Sequence, residues 1–251
     1  TATWDDAPHL DKDTKEQLLA QYPPHERELR SQGIPVMGDG LVFPISPDKI
    51  IVPAFELPEH WPRICGLDFG WDHPTAAVWI AHDTDSDTVY IYDCYSKNKE
   101  TAIVHSAALN SRERWIPVSW PKDGLQSDKG SGSGLAQQYS DQGVNMLNDW
   151  ARNPKAPSDT GKGNNSVEPA IMDMFQRMET DRFKVFSHLQ DWFQEFSGYY
   201  RKDGKIVPMR DDLMSATRYA TMMLRFAAVG GNTNTNGYSM KSLKIKNWSS
   251  V

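Results

Sequence analysis

Arg63-Ile64-Cys65-Gly66-Leu67-Asp68-Phe69-Gly70-Trp71-Asp72 opens on a short apolar run that ends on a carboxylate, Asp68, with a glycine two residues to either side. The run reads as a strand that delivers one acid at its end, and the glycines allow backbone or ligand to come close. Two further strands are expected, Thr75 to His82 and Thr88 to Tyr95, joined by the polar turn Asp83-Thr84-Asp85-Ser86-Asp87. The spacing predicts three antiparallel strands, the first carrying Asp68 toward the centre of a sheet.

Working outward toward the C-terminus, Lys99 to Arg114 reads as a crossover helix with Ile103, Ala107, Ala108 and Leu109 on one face. Trp115 to Trp120 reads as a fourth strand that Pro121 ends, so that Lys122-Asp123-Gly124 lies just past its C-terminal end, where ligands bind in open α/β sheets. Leu125 to Gly134 is rich in Gly, Ser and Lys and is expected to be a mobile surface loop; no Lys-Ser/Thr pair follows its last glycine, so it is not a Walker loop. Leu135 to Gln142 is expected as a helix, Val144 to Leu147 as a fifth strand and Asn153 to Ser166 as a polar loop. Ser166 to Thr180 then forms a helix with Ile171, Met174, Phe175 and Met178 as its stripe, followed by the strand Phe183 to Phe186. Leu189 to Tyr200 carries Trp192, Phe193, Phe196 and Tyr199 at helical spacing. Arg201 to Val207 is a hairpin about Asp203-Gly204, and Asp211 to Ala227 is the closing helix, with Leu213, Ala216, Ala220, Met223, Leu224 and Ala227 on one face.

Toward the N-terminus, residues 1–60 read as a Pro- and Gly-rich preamble, a connector and not a core, with helices at Leu10 to Leu19 and His25 to Gln32 and short strands at Ile34 to Met37, Leu41 to Ile45 and Lys49 to Pro53. Residues 61–228 form one domain, and 229–251 a flexible tail with Lys241, Lys244 and Lys246. The first residue is Thr and no leader follows, so a piece of a longer protein is expected.

With 251 residues and 39% hydrophobic content the chain can bury a full core. Its longest apolar run is far short of the roughly 20 residues that span a bilayer, so no membrane is expected. Cys65 and Cys94 are the only cysteines and have no metal-ligand spacing, which fits a reduced cytosolic setting. A net charge of -6 runs against phosphate binding. A cluster of acids that holds cations would lower the net charge locally while Lys122, Lys129, Lys155, Lys162, Arg201, Lys202 and Lys205 still line its rim; each of these taken singly is also an ordinary surface charge.

Asp68 in a strand, Asp123 past another and Asp211-Asp212 at a helix start are far apart in sequence, yet an α/β fold could gather them. Mg²⁺ takes oxygen ligands, commonly one or two carboxylates plus substrate phosphates. Two such ions about 4 Å apart can activate water on one side of a phosphodiester and stabilise the leaving oxygen on the other. Each acid also has a local explanation: Asp68 and Asp123 as turn residues, Asp211 and Asp212 as partners of helix N-terminal amides. Asp72 and His73 could position water or DNA, and a turn before Pro74 explains them equally well.

Three antiparallel strands of which the first bears an acid are how ribonuclease-H-like domains begin. Gly66-Leu67-Asp68-Phe69-Gly70, Trp120-Pro121-Lys122-Asp123-Gly124 and above all Arg210-Asp211-Asp212-Leu213-Met214-Ser215-Ala216-Thr217-Arg218-Tyr219-Ala220 resemble the nuclease domain of the large terminase subunit of tailed bacteriophages, in the headful-packaging podovirus group. The preamble, with Trp4-Asp5-Asp6-Ala7-Pro8 and Tyr22 to Glu28, resembles the segment that joins that family's ATPase and nuclease domains; the likeness runs to about Phe226. It implies an α/β, ribonuclease-H-like mixed sheet flanked by helices, and a Mg²⁺- or Mn²⁺-dependent endonuclease with two ions that cuts concatemeric double-stranded DNA when packaging starts and ends. The family's three acids fall on Asp68, Asp123 and Asp212, although the Asp-Asp pair leaves the third place open to Asp211, which is otherwise a further ligand or a group behind the ligands; from the rim charges, DNA contact is expected of Lys122, Lys129, Arg201, Lys202 and Lys205. The partners implied are the small terminase subunit, the portal and an ATPase domain of the same full-length chain, in the cytoplasm of an infected bacterium and transiently on the procapsid portal. No Walker motif is present here, so cutting without translocation is expected.

Two other readings share these features. An actin-like or sugar-kinase ATPase domain also opens on Asp-x-Gly, although Trp71 and Asp72 would crowd a phosphate. A non-catalytic docking module could keep the fold without the reaction.

Overall fold

The computed structural model describes residues 40–126, 134–154 and 165–230. The expected helices before residue 34, the strand Ile34 to Met37, most of the 125–134 loop with Lys129, and the basic tail lie outside the described residues; Leu125 itself closes a 3₁₀ turn.

The sheet grows from the three strands expected: β3 (Arg63–Asp68), β4 (Thr75–Asp83) and β5 (Thr88–Lys97), antiparallel neighbours with Asp68 opposite Ala76. On the far side of β5 lies β7 (Phe183–Phe186), parallel to it, and beyond that β2 (Ile51–Val52); β6 (Val118–Ser119) closes the other edge parallel to β3. The six-stranded order β2-β7-β5-β4-β3-β6 is therefore mixed. A second, antiparallel sheet joins β1 (Gly40–Leu41) to β8 (Tyr200–Lys202) and β9 (Lys205–Ile206). Its hairpin turns on Asp203 and Gly204, both with positive φ (51° and 72°), the geometry a two-residue hairpin requires.

Strand alternation divides the core in two. Ile64, Ala76, Val78 and Ile80 face a layer made by α4 (Val167–Glu179), α5 (Gln190–Gly198) and α6 (Asp212–Met222). Cys65, Leu67, Ala77 and Trp79 face α2 (Ala102–Asn110) and α3 (Leu135–Asp141). The larger layer is fastened by fully buried Trp192, which stacks on Phe196 at 5.1 Å and donates its indole N–H to Thr217 Oγ1 at 2.9 Å. Burying a ring of that size contributes about 2–3 kcal/mol.

Several elements differ from expectation. The preamble is not merely a connector: Phe43 and Ile50 are buried in the larger core, Pro47–Ile50 is a helical turn (α1), and Phe55, with Trp61 just beyond, packs on Tyr90 of β5. The strand expected at Leu41 to Ile45 is only Gly40–Leu41. Helix α2 buries His105, Ser106 and Leu109 and leaves Ile103 63% exposed, so the face read from apolar spacing is not the packed one. A polar residue wins that face because the Tyr95 hydroxyl lies 2.9 Å from His105 Nδ1 and the imidazole stacks on Tyr139. The fourth strand shrinks to Val118–Ser119, and the fifth to a single bridge between Val118 and Met146. The closing helix ends at Met222, followed by a 3₁₀ turn, Leu224–Phe226.

Candidate active site

Gly66 decides where α6 lies. A Cβ at Gly66 would stand 1.9 Å from the Ala216 carbonyl oxygen and 2.7 Å from the Ala220 nitrogen, so the helix backbone rests directly on the strand. Two residues along β3 is about 6.6 Å on the same face, and one turn back along α6 is about 6 Å. Strand and helix run in opposite senses there, so the step from Gly66 reaches Asp68 while the step from Ala216 reaches Asp212. The close contact thus sets the two carboxylates against each other. Ser119 Oγ of β6 donates to the Tyr219 carbonyl at 2.8 Å and fixes the same helix from the neighbouring strand.

The electrostatics record the approach. Burial pushes the Asp68 carboxyl up to about 7, the charge of Asp212 adds to this, and Arg218 and His73 only partly offset it. Asp211 is likewise raised, by burial and then by Asp212. Asp212 is 7% exposed, and its Oδ1 lies 2.8 Å from His73 Nδ1. Burial acts to lower the His73 pKa, but the hydrogen bond to Asp212 and the charges of Asp212 and Asp68 outweigh it, leaving a net rise.

Glu195 of α5 is the residue that sequence reasoning missed. Its Oε2 accepts the backbone N–H groups of Leu213 at 2.7 Å and Met214 at 3.3 Å, so it caps α6 from outside the helix. Asp211 makes no side-chain cap bond. The local explanation for the Asp211-Asp212 pair, satisfaction of their own helix's amides, therefore fails because Glu195 already performs it. Burial pushes Glu195 to about 7, against those two hydrogen bonds and helped by Asp212 and Asp211. The signal was present: Glu195 falls in the stripe Trp192, Phe196, Tyr199 at helical spacing, where an acid is out of place.

Asp123 sits in the 3₁₀ turn Lys122–Leu125 just after β6, at the sheet edge where β3 also ends. Its charge and that of Asp68 both raise the Tyr219 hydroxyl's pKa, after burial. Asp123 is exposed, and Gln126 Nε2 lies 3.5 Å from its Oδ1. Asp68, Asp211 and Asp212 are thus gathered, with Asp123 at the same edge; among the described residues, no three His, Cys, Asp or Glu side chains stand ready to hold a metal ion. Two carboxylates with substrate phosphate are nonetheless a usual Mg²⁺ set, and a cation there would relieve the repulsion between Asp68 and Asp212. Lys122, Lys202 and Lys205 are exposed, whereas Arg201 is held by both oxygens of Glu168, at 2.8 and 2.7 Å.

A family model described as the terminase RNaseH-like domain matches residues 65–224. The chain belongs to the terminase RNaseH-like family. The span matched by this terminase model contains Asp68, His73, Asp123, Glu195, Asp211 and Asp212. The large terminase subunit of Salmonella phage P22 is 44% identical over 223 residues, covering 88% of this chain and 43% of that protein. That of Enterobacteria phage LP7 is 43% identical over 219 residues, covering 87% and 45%. The chain thus spans a little under half the length of these terminase relatives. The solved P22 large terminase nuclease domain is similar with a TM-score of 0.69 at 41% identity, over 77% of this chain and 97% of that one. The large terminase of the thermophilic bacteriophage D6E shares the fold, with a TM-score of 0.58 at 17% identity over 90% of this chain and 55% of that one. The ribonuclease-H-like mixed sheet expected from the sequence is the terminase fold found. No helix among the described residues is long and apolar enough to cross a membrane.

Proposed function

We propose that this chain is the nuclease part of a viral DNA-packaging motor, a metal-dependent endonuclease that cuts concatemeric double-stranded DNA when headful packaging starts and ends. The observation that carries the reading is the meeting of Asp68 and Asp212, half-buried and buried, at the strand-end edge of a terminase fold. Asp68, Asp123 and Asp212 are the residues that would hold the two proposed Mg²⁺ or Mn²⁺ ions, with Asp68 shared between them. Of the Asp211-Asp212 pair, Asp212, the more buried and bonded to His73, would be the main ligand, with Asp211 behind it. When bound, divalent ions supply positive charge and Lewis acidity at the scissile phosphate. The protein's own residues orient the carboxylates: Gly66 sets the helix, Glu195 its first turn and Ser119 its flank. An ATPase domain of the full-length chain, the small terminase subunit and the portal are the proposed partners, in the cytoplasm of the infected host.

Supercoiled plasmid incubated with the chain is expected to be nicked and linearised with Mg²⁺ or Mn²⁺ and to stay intact with EDTA. An intact plasmid with either metal would overturn the reading.

The proposed DNA path runs over the exposed Lys122 and the hairpin tip with Lys202 and Lys205, and Arg201, engaged by Glu168, contributes least; Lys129 is a further proposed contact from the sequence. Replacing Lys202 and Lys205 by Gln is expected to weaken duplex binding and to reduce the slope of log K against log salt by about 2, one for each lost phosphate contact. Filter binding across a salt series checks this, and an unchanged slope removes the hairpin from the path.

A further inference from the structure

We infer that His73 is a positioning residue for metal capture: its Nδ1–H holds Oδ1 of Asp212 and leaves Oδ2 for the cation. The inference rests on the metal-centre reading above and assigns His73 a function within it.

The His73–Asp212 contact is 2.8 Å long, but the imidazole is 61% exposed while the carboxylate is only 10% exposed. An ion pair with one partner in solvent contributes little stability. The turn that presents it is nevertheless closely built. Thr75 Oγ1 accepts the Gly70 N–H at 3.1 Å and donates to the Gly70 carbonyl at 2.9 Å, closing residues 70–75 into a loop. The Tyr139 hydroxyl from α3 interacts with the same Thr75 side chain. Gly70 is needed because a Cβ there would stand 2.6 Å from His73 Nδ1 and 2.4 Å from the carbonyl oxygens of His73 and Pro74. The ring therefore lies back over the strand end toward α6.

On the other side, Glu195 occupies the first amides of α6, so the Asp212 carboxylate is not drawn onto its own helix. His73 is then the group that selects which oxygen of Asp212 stays available. Carboxylates that bind metals are themselves hydrogen-bonded by a surrounding layer of residues, and loss of such a partner costs 10- to 100-fold in affinity or activity.

The test is Mn²⁺ titration of the intact 251-residue chain without DNA, by calorimetry, for the wild type and for His73→Ala, His73→Asn, His73→Gln and Asp212→Asn. The Asn amide nitrogen stands where Nδ1 stands, while that of Gln reaches to the place of Nε2. His73→Ala and His73→Gln are expected to weaken Mn²⁺ binding about 10-fold or more, and His73→Asn to restore most of it, with melting temperatures of the metal-free variants close together. A merely structural contact would shift melting without this Asn–Gln split. Wild-type affinity in His73→Ala beside lost affinity in Asp212→Asn overturns the inference and leaves the metal centre standing. Equal weakening by Asn and Ala also overturns it. Unchanged affinity in Asp212→Asn overturns the metal centre itself, and the inference with it.

Discussion

Gly66→Ala is expected to cost about 3 kcal/mol or more of stability and to weaken whatever metal affinity the folded fraction retains. The methyl would meet the Ala216 carbonyl at 1.9 Å and the Ala220 amide at 2.7 Å, and both are helix backbone. Carbon and carbonyl oxygen need about 3.3 Å, so α6 must lift by more than 1 Å. No side-chain rotation can absorb that, because β3 is bonded on both sides, to β4 and to β6. Asp212 moves with the first turn of α6, and a displacement of this size in a catalytic group can cost about 100-fold in rate. Urea denaturation gives the first number, and plasmid cleavage corrected for folded fraction gives the second. A Gly66→Ala protein as stable as the wild type would show that the strand and helix are not in the contact described.

Asp68→Asn is expected to abolish cleavage while making the metal-free protein more stable at pH 8. The folded carboxyl titrates near 7 and the unfolded one near its ordinary value of 3.8. Between these values the folded state keeps a proton that the unfolded state has released, so stability falls as pH rises through this window and the loss is complete above it. A span of about three units sets a ceiling of roughly 4 kcal/mol; with partial access to water the expected gain for Asn is about 1–3 kcal/mol at pH 8 and close to none at pH 4. Thermal melts at both pH values in EDTA check the pattern. Added Mg²⁺ should raise the melting point of the wild type at pH 8 and leave that of Asp68→Asn nearly unmoved. Equal stability of the two proteins at pH 8 would mean that Asp68 is not under electrostatic strain.

The two results are linked, since one glycine places the acid pair and one acid carries its cost. The strands around them were legible because each obeys a local rule: a continuous apolar run at Ala76–Ala81, an acidic turn, an Asp-Gly hairpin. The helix stripes at Ile171, Met174 and Met178 and at Trp192 and Phe196 were legible for the same reason. Features that depend on partners distant in sequence were not. Ile103 looked like core and faces solvent, since His105 finds its hydroxyl partner on β5. Residues 42–60, the described end of the preamble, looked like a connector because of their prolines, yet Phe43, Ile50 and Phe55 find neighbours more than a hundred residues later. Within the site, the acids could be singled out from the resemblance; the bond from His73 to Asp212 spans 139 positions and leaves no trace in spacing. Glu195 left only the oddity of a charge in an apolar stripe.

The small sheet gives the chain a mechanical character. Gly40 and Leu41 are zipped to Arg201 and Tyr200, and Val42 N–H bonds the Tyr199 carbonyl at 2.9 Å. From that hairpin the backbone runs through Arg210, with its positive φ of 52°, straight into Asp211 and Asp212. A pull on β1 at residue 40 is therefore borne first by the hairpin and passed, within a few peptide units, to the Asp211-Asp212 end of α6. Tension along the polypeptide and the aim of two carboxylates share one load path.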